Sequence, residues 1–134
     1  MYDIQQLKKH LDKEQILVVL LTRLYFGTIT KEKVIAFLST NIVSAEYMYR
    51  LLSAHTIRPF IYYVIKANDL KINDTLEEKL RSFSLQNQFR SMEQVVMTSR
   101  LQSELAQKGV EVISFKGSLF AKRYYDDVGL RESS

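Results

Sequence analysis

The chain has 134 residues, 46% of them hydrophobic, and carries a net charge of +4, which suits one domain with a real core and excludes a disordered chain. It has no Cys, which rules out disulfides and thiolate metal sites and fits a cytoplasmic setting. One Pro and four Gly supply too few turn residues for a hairpin-rich sandwich, so long helices are expected.

At the N-terminus Asp3 can cap a short helix with Ile4, Leu7 and Leu11 on one face. Asp12 and Gln15 have the spacing of a capping box, in which each side chain satisfies a backbone N–H of the other. The helix they start, 13–26, is apolar on most sides and stops at Gly27, so it belongs in the centre of the fold. Its run Ile16-Leu-Val-Val-Leu-Leu21 is flanked by Glu14 and Arg23 and falls far short of the ~20 apolar residues of a membrane span. Neither a signal peptide nor a membrane partner is expected.

Thr28 to Thr30 lead into a helix with Val34, Ile35 and Leu38 inward. Ser44 precedes another, 45–54, with Tyr47, Met48, Leu51 and Leu52. Pro59 opens a strongly apolar helix that runs to Ala67, since its missing N–H is not needed in a first turn. Asp74 with Glu77 forms a second predicted capping box. From Thr75 to Lys108 there is neither Gly nor Pro, which predicts one helix of ~50 Å at 1.5 Å per residue. Its apolar row Leu76, Leu80, Phe83 shifts to Leu85, Phe89, Met92, Val96, and Ser82, Ser84 and Asn87 mark a place for a kink or break.

After Gly109 the period changes. Val110-Glu-Val-Ile-Ser-Phe115 is β-branched and ends in Phe, a strand signature. Lys116-Gly117-Ser118 follow, then a predicted helix 118–125 and a loop Asp126-Asp-Val-Gly-Leu-Arg131. Two readings are open for these residues: an ordinary turn after a strand, or a phosphate site in which Gly117 allows close backbone approach, helix-start N–H groups point at the phosphate, and Lys116 and Ser118 would add a charge and a hydroxyl.

The nine Lys/Arg and five Asp/Glu of residues 1–67 account for the whole positive excess, because residues 68–134 hold ten of each. The basic residues are scattered, so a solvated helix surface is expected and nucleic acid is not an expected partner. His10 and His55 are far apart and suit surface and capping roles, so no transition-metal site is expected. The Tyr pairs at 47/49, 62/63 and 124/125 sit among apolar neighbours, as packed rings do.

Taken in order, His55-Thr-Ile-Arg-Pro-Phe-Ile-Tyr, the long helix ending Leu101-Gln-Ser-Glu-Leu-Ala-Gln-Lys-Gly-Val-Glu-Val-Ile, Phe115-Lys-Gly-Ser-Leu-Phe, and Tyr124-Tyr-Asp-Asp-Val-Gly-Leu-Arg form a pattern. From about Leu51 to Ser134 it resembles the uncharacterised bacterial nucleotidyltransferases of the polymerase-beta-like superfamily. The resemblance implies a mainly α chain: a helical bundle, 1–109, followed at 110–134 by the first strand and helix of an incomplete α/β nucleotidyltransferase core. It implies transfer of a nucleotide from a nucleoside triphosphate to an unknown acceptor, with Mg²⁺ held by an Asp-x-Asp pair directly after the Arg loop. Lys116, Gly117 and Ser118 would contact the triphosphate and Arg131 would support the site. The chain ends at Arg131-Glu-Ser-Ser134 before such a pair, so these residues are expected to be inactive alone, with no metal or catalytic residue of their own. The competing expectation is a helical interaction module that forms a homo-oligomer through its unpaired strand.

Overall fold

The computed structural model describes residues 4–113, 117 and 127–132. Helix α1 spans Ile4–Leu7, α2 Lys13–Tyr25, α3 Lys31–Thr40, α4 Ala45–Ala54, α5 Arg58–Ala67 and α6 Asp74–Gln107, and a 3-10 turn covers Val128–Leu130. No described helix is long and apolar enough to cross a membrane.

The Asp12–Gln15 capping box forms: Gln15 N–H donates to Asp12 Oδ1 over 2.8 Å and Asp12 N–H to Gln15 Oε1 over 3.1 Å. It aims α2 into the centre, where Leu17, Leu20 and Leu21 lose all contact with water. Each contributes about 2–3 kcal/mol of hydrophobic stabilisation. Helices α3, α4 and α5 pack on α2, and α6 lies across α4 and α5. Phe37 takes the inward place expected for Ile35 on α3, and Ile35 is half-exposed. Buried Glu14 accepts the Ser44 N–H over 2.8 Å and so ties the start of α4 to α2.

Beside that tie the Tyr47 hydroxyl donates to Asp12 Oδ2 over 2.8 Å. This hydrogen bond, helped by desolvation, raises the phenol pKa above its ordinary 10.0. The tether is therefore complete below pH 10 and is lost as pH rises through the raised folded value. Tyr47→Phe is expected to lower the melting temperature at about pH 8, and the gap from the parent should close as pH rises through the raised folded pKa. A gap that stays constant across this range, followed by circular dichroism, would refute the tether.

Helix α6 begins one residue earlier than expected. Asn73, not Asp74, is its cap, with Oδ1 accepting the Leu76 N–H over 3.1 Å. Glu77 reaches back to the Ile72 N–H instead, at 3.1 Å. All 34 residues of α6 remain helical, with no break at Phe83–Leu85. The shift in the apolar row has another cause: Leu76 and Leu80 face the bundle, whereas Phe89, Met92 and Val96 lie past it and are more than half exposed.

The strand expected at Val110–Phe115 is absent over its described residues, 110–113. Among the described residues there is no strand and no sheet, so the α/β part of the expected fold is overturned and the described fold is all helical. A strand needs a partner for its N–H and C=O groups, and β-branched residues alone do not provide one. Val110 instead spends its N–H on Leu105 O, 3.0 Å away, in closing α6 behind Gly109, whose φ is +77°. Val112 and Ile113 then run exposed. Self-association through a strand has no strand among the described residues to carry it. Ser114, Phe115 and the helix expected at 118–125 lie outside the described residues.

Candidate functional site

The segment 127–132 folds back onto the bundle, and two polar residues of the helices, Arg58 and Asn87, hold it there. The first is placed by an unusual helix end. Helix α4 closes with the Ile57 N–H donating to Leu52 O over 3.1 Å, which puts Thr56 in the left-handed region at φ +53°. For a β-branched residue this conformation is strained by about 1 kcal/mol or more. The strained turn swings the chain straight into α5, whose first residue is Arg58. Thr56→Gly is expected to raise stability by about 1 kcal/mol, read by chemical denaturation, since Gly takes this conformation freely. Destabilisation by the same change would show that the Thr56 side chain has a role beyond the turn.

The Arg58 guanidinium meets the Glu132 carboxylate with both prongs. Its Nε donates to Oε2 over 3.2 Å and its Nη2 to Oε1 in a closer contact. Nη1 donates to the Tyr49 hydroxyl over 3.2 Å, and the plane sits 3.5 Å from the centre of the Phe83 ring. The two charged side chains are only 15% and 10% exposed, so this is a mostly desolvated, forked pair rather than a surface bridge. The hydrogen bond to Glu132 raises the Arg58 pKa above its ordinary value, with burial opposing and Tyr49 adding to the rise.

Asn87 of α6 is the second anchor. It is buried, and its Nδ2 donates to Gly129 O over 3.0 Å and to Arg131 O over 2.8 Å. Asp127 completes the turn by accepting the Gly129 N–H on Oδ1 at 2.7 Å. A side chain at Gly129 would meet that same carboxylate oxygen at 3.1 Å, so the Asp127 side chain would have to give by a few tenths of an ångström. With Arg131's carbonyl fixed by Asn87, its exposed guanidinium donates from Nη1 to Gly117 O over 3.1 Å. Gly117 has φ +95°, a conformation that side-chain-bearing residues rarely take.

The structure thus brings together two of the four residues named from sequence, Gly117 and Arg131. Lys116 and Ser118 lie outside the described residues. A family described as an uncharacterised nucleotidyltransferase matches residues 43–134. The chain belongs to that family. No curated protein and no solved structure matches it. The family's span starts at Val43, so it takes in α4, α5, α6 and the docked segment and leaves out α1, α2 and α3.

Arg58, Asn87 and Glu132 were not visible from sequence as a group. By sequence Arg58 is one of the scattered basic residues and Asn87 marks a place for a kink. The one available signal was a polar residue, Asn87, standing within the apolar row of a long helix. Nor do the described carboxylates fit Mg²⁺. Asp127 Oδ1 serves the Gly129 N–H and Glu132 serves Arg58, and no group of three or more metal-ligating side chains occurs among the described residues. His55 ends α4 as its C-cap and is exposed, with no part in the site.

Proposed function

We propose that this chain is the scaffold and triphosphate-facing part of a nucleotidyltransferase, with the division after Gly109 separating scaffold from site-bearing segment. The observation that carries the reading is the clamped turn 127–132, which holds the Arg131 guanidinium against the Gly117 backbone within the span the family matches. An exposed, pre-aimed guanidinium beside a glycine is suited to phosphate oxygens, because it offers several donors and the glycine leaves room for a close approach. In the proposed reaction an acceptor oxygen bonds to the α-phosphorus of a nucleoside triphosphate. The bond from that phosphorus to the bridging oxygen breaks, pyrophosphate leaves, and the acceptor proton passes to solvent. Mg²⁺ is expected from the family resemblance, and no described residue is assigned to hold it.

Calorimetric titration of the four nucleoside triphosphates, with and without Mg²⁺, tests the reading on the chain as it stands. Saturable binding of at least one is expected, weakened about 10- to 100-fold by Arg131→Ala, as the loss of a charged hydrogen bond to phosphate implies. Absence of saturable binding into the millimolar range, or binding indifferent to Arg131, would overturn it.

A further inference from the structure

Between α5, α6 and the 3-10 turn lies a cleft of about 310 Å³, outside the Arg131–Gly117 contact. This is within the range of sites that bury a small ligand. Pro59, Leu85 and Leu130 give it apolar walls, Tyr62 adds a ring, and Lys66 and Arg81 bring two cations. Lys66 has no anionic partner among the described residues. Arg81 has a single ion pair there, to Glu78 at 3.7 Å, in which both side chains are more than half exposed. Such a pair yields readily to a better anion. One carboxylate, Asp127, lines the cleft itself, with its Oδ1 committed to the Gly129 N–H, while Asp74, Glu77 and Glu78 line the adjoining hollow that Lys66 and Arg81 also border.

A second observation points to an occupant. Ser84 lines the same cleft, and its Oγ is buried with no hydrogen-bond partner among the described residues. A serine inside a helix ordinarily bonds back to the preceding turn, as Thr22 does to Val18 O in α2 at 2.9 Å. A buried hydroxyl left unpaired carries a desolvation cost that a ligand oxygen can remove. The cleft's position adds to this. Asp127 and Gly129 form its edge, and two residues beyond Gly129 is Arg131, at the proposed triphosphate site.

We propose that the cleft binds a small organic phosphomonoester, the acceptor of the transfer. Lys66 and Arg81 take its phosphate, Ser84 turns its occluded hydroxyl towards the cleft to bond one of its oxygens, and its carbon body lies on Tyr62, Pro59 and Leu130. The phosphate explains two cations at one cleft, and the apolar walls explain why inorganic phosphate alone is not enough. The word acceptor rests on the nucleotidyltransferase reading; the binding of a phosphomonoester does not.

The test uses phenyl phosphate as probe, with inorganic phosphate and phenol as its two halves, followed by amide chemical shifts of Leu85, Gln88 and Leu130. Saturable binding of phenyl phosphate, at least tenfold tighter than either half, is expected. The double change Lys66→Gln and Arg81→Gln alters two exposed side chains and should weaken it at least tenfold while leaving triphosphate binding at Gly117 unchanged. No saturable shift by about 10 mM overturns the proposal, as does equal affinity in the double variant. Inorganic phosphate binding as tightly as the ester overturns the organic body. Displacement of the ester by a nucleoside triphosphate overturns the acceptor assignment, since the cleft would then belong to the nucleotide. If the ester binds and no triphosphate does, the cleft stands and the nucleotidyltransferase reading falls.

Discussion

Asn87→Asp is expected to release the segment 127–132 from α6. The change keeps the size of the side chain and replaces the amide that donates to Gly129 O and Arg131 O with a carboxylate that faces both oxygens. One buried and one part-buried acceptor lose their donor, and a negative charge is set against them, at a cost of about 3 kcal/mol. That corresponds to about a hundredfold shift towards the undocked segment. The global loss is smaller than the local one, because undocking returns the new carboxylate to water while the core around α2 stays closed. Two measurements separate these effects. Hydrogen exchange at the Leu130 amide, which donates to Asp127 O at 3.1 Å in the docked turn, should accelerate about a hundredfold, while the melting temperature falls by only a few degrees. Triphosphate binding should fall with the docking, since Arg131 loses its fixed carbonyl. Unchanged exchange at Leu130 would show that Asn87 does not hold the turn.

Arg58→Met has the next largest effect. The substitution keeps an apolar stem against Phe83 but strands Glu132, whose side chain is 10% exposed in the docked state. Between the small value of an exposed pair and the large loss on breaking a buried one, about 2 kcal/mol is expected here. Arg58→Lys should recover less than half of it. An ammonium cannot reach both Glu132 oxygens and Tyr49 while lying flat on a ring. Chemical denaturation of Arg58→Met, Glu132→Gln and the double variant gives the coupling directly, with at least about 1 kcal/mol expected between the two sites. Additive effects would mean that the pair does not clamp the segment. Both predictions concern residues that position Arg131 without touching the proposed nucleotide, so their losses should appear in docking and binding together.

The helices were legible because their signals are local. The Asp12–Gln15 box, Gly27 after α2 and Pro59 in the first turn of α5 each act within a few residues of themselves, and each appears as read. At the start of α6 two adjacent residues, Asn73 and Asp74, could both cap, and the backbone geometry at Asn73 decided the choice. The strand at 110–115 failed for the opposite reason. Its signature was local too, but a strand is a pairing between segments, and no description of Val110 to Ile113 alone contains the partner. The exposed row Phe89, Met92, Val96 shows the same limit, since helical spacing says which residues share a face and not whether that face is covered.

The sequence by itself determined the helices up to Gly109, most of their boundaries, the burial of α2 and the family likeness, but not the all-helical class, since it also called for a strand. Tertiary structure alone decided how Arg131 is held. Arg58 and Glu132 are 74 residues apart, and Asn87 and Arg131 are 44 apart. Their pairing follows from the packing of α4, α5 and α6, which brings a cation, a ring and an amide to one place. Periodicity and capping carry no term for such encounters, because the free energy that joins them exists only once the helices have packed and water has left the space between them.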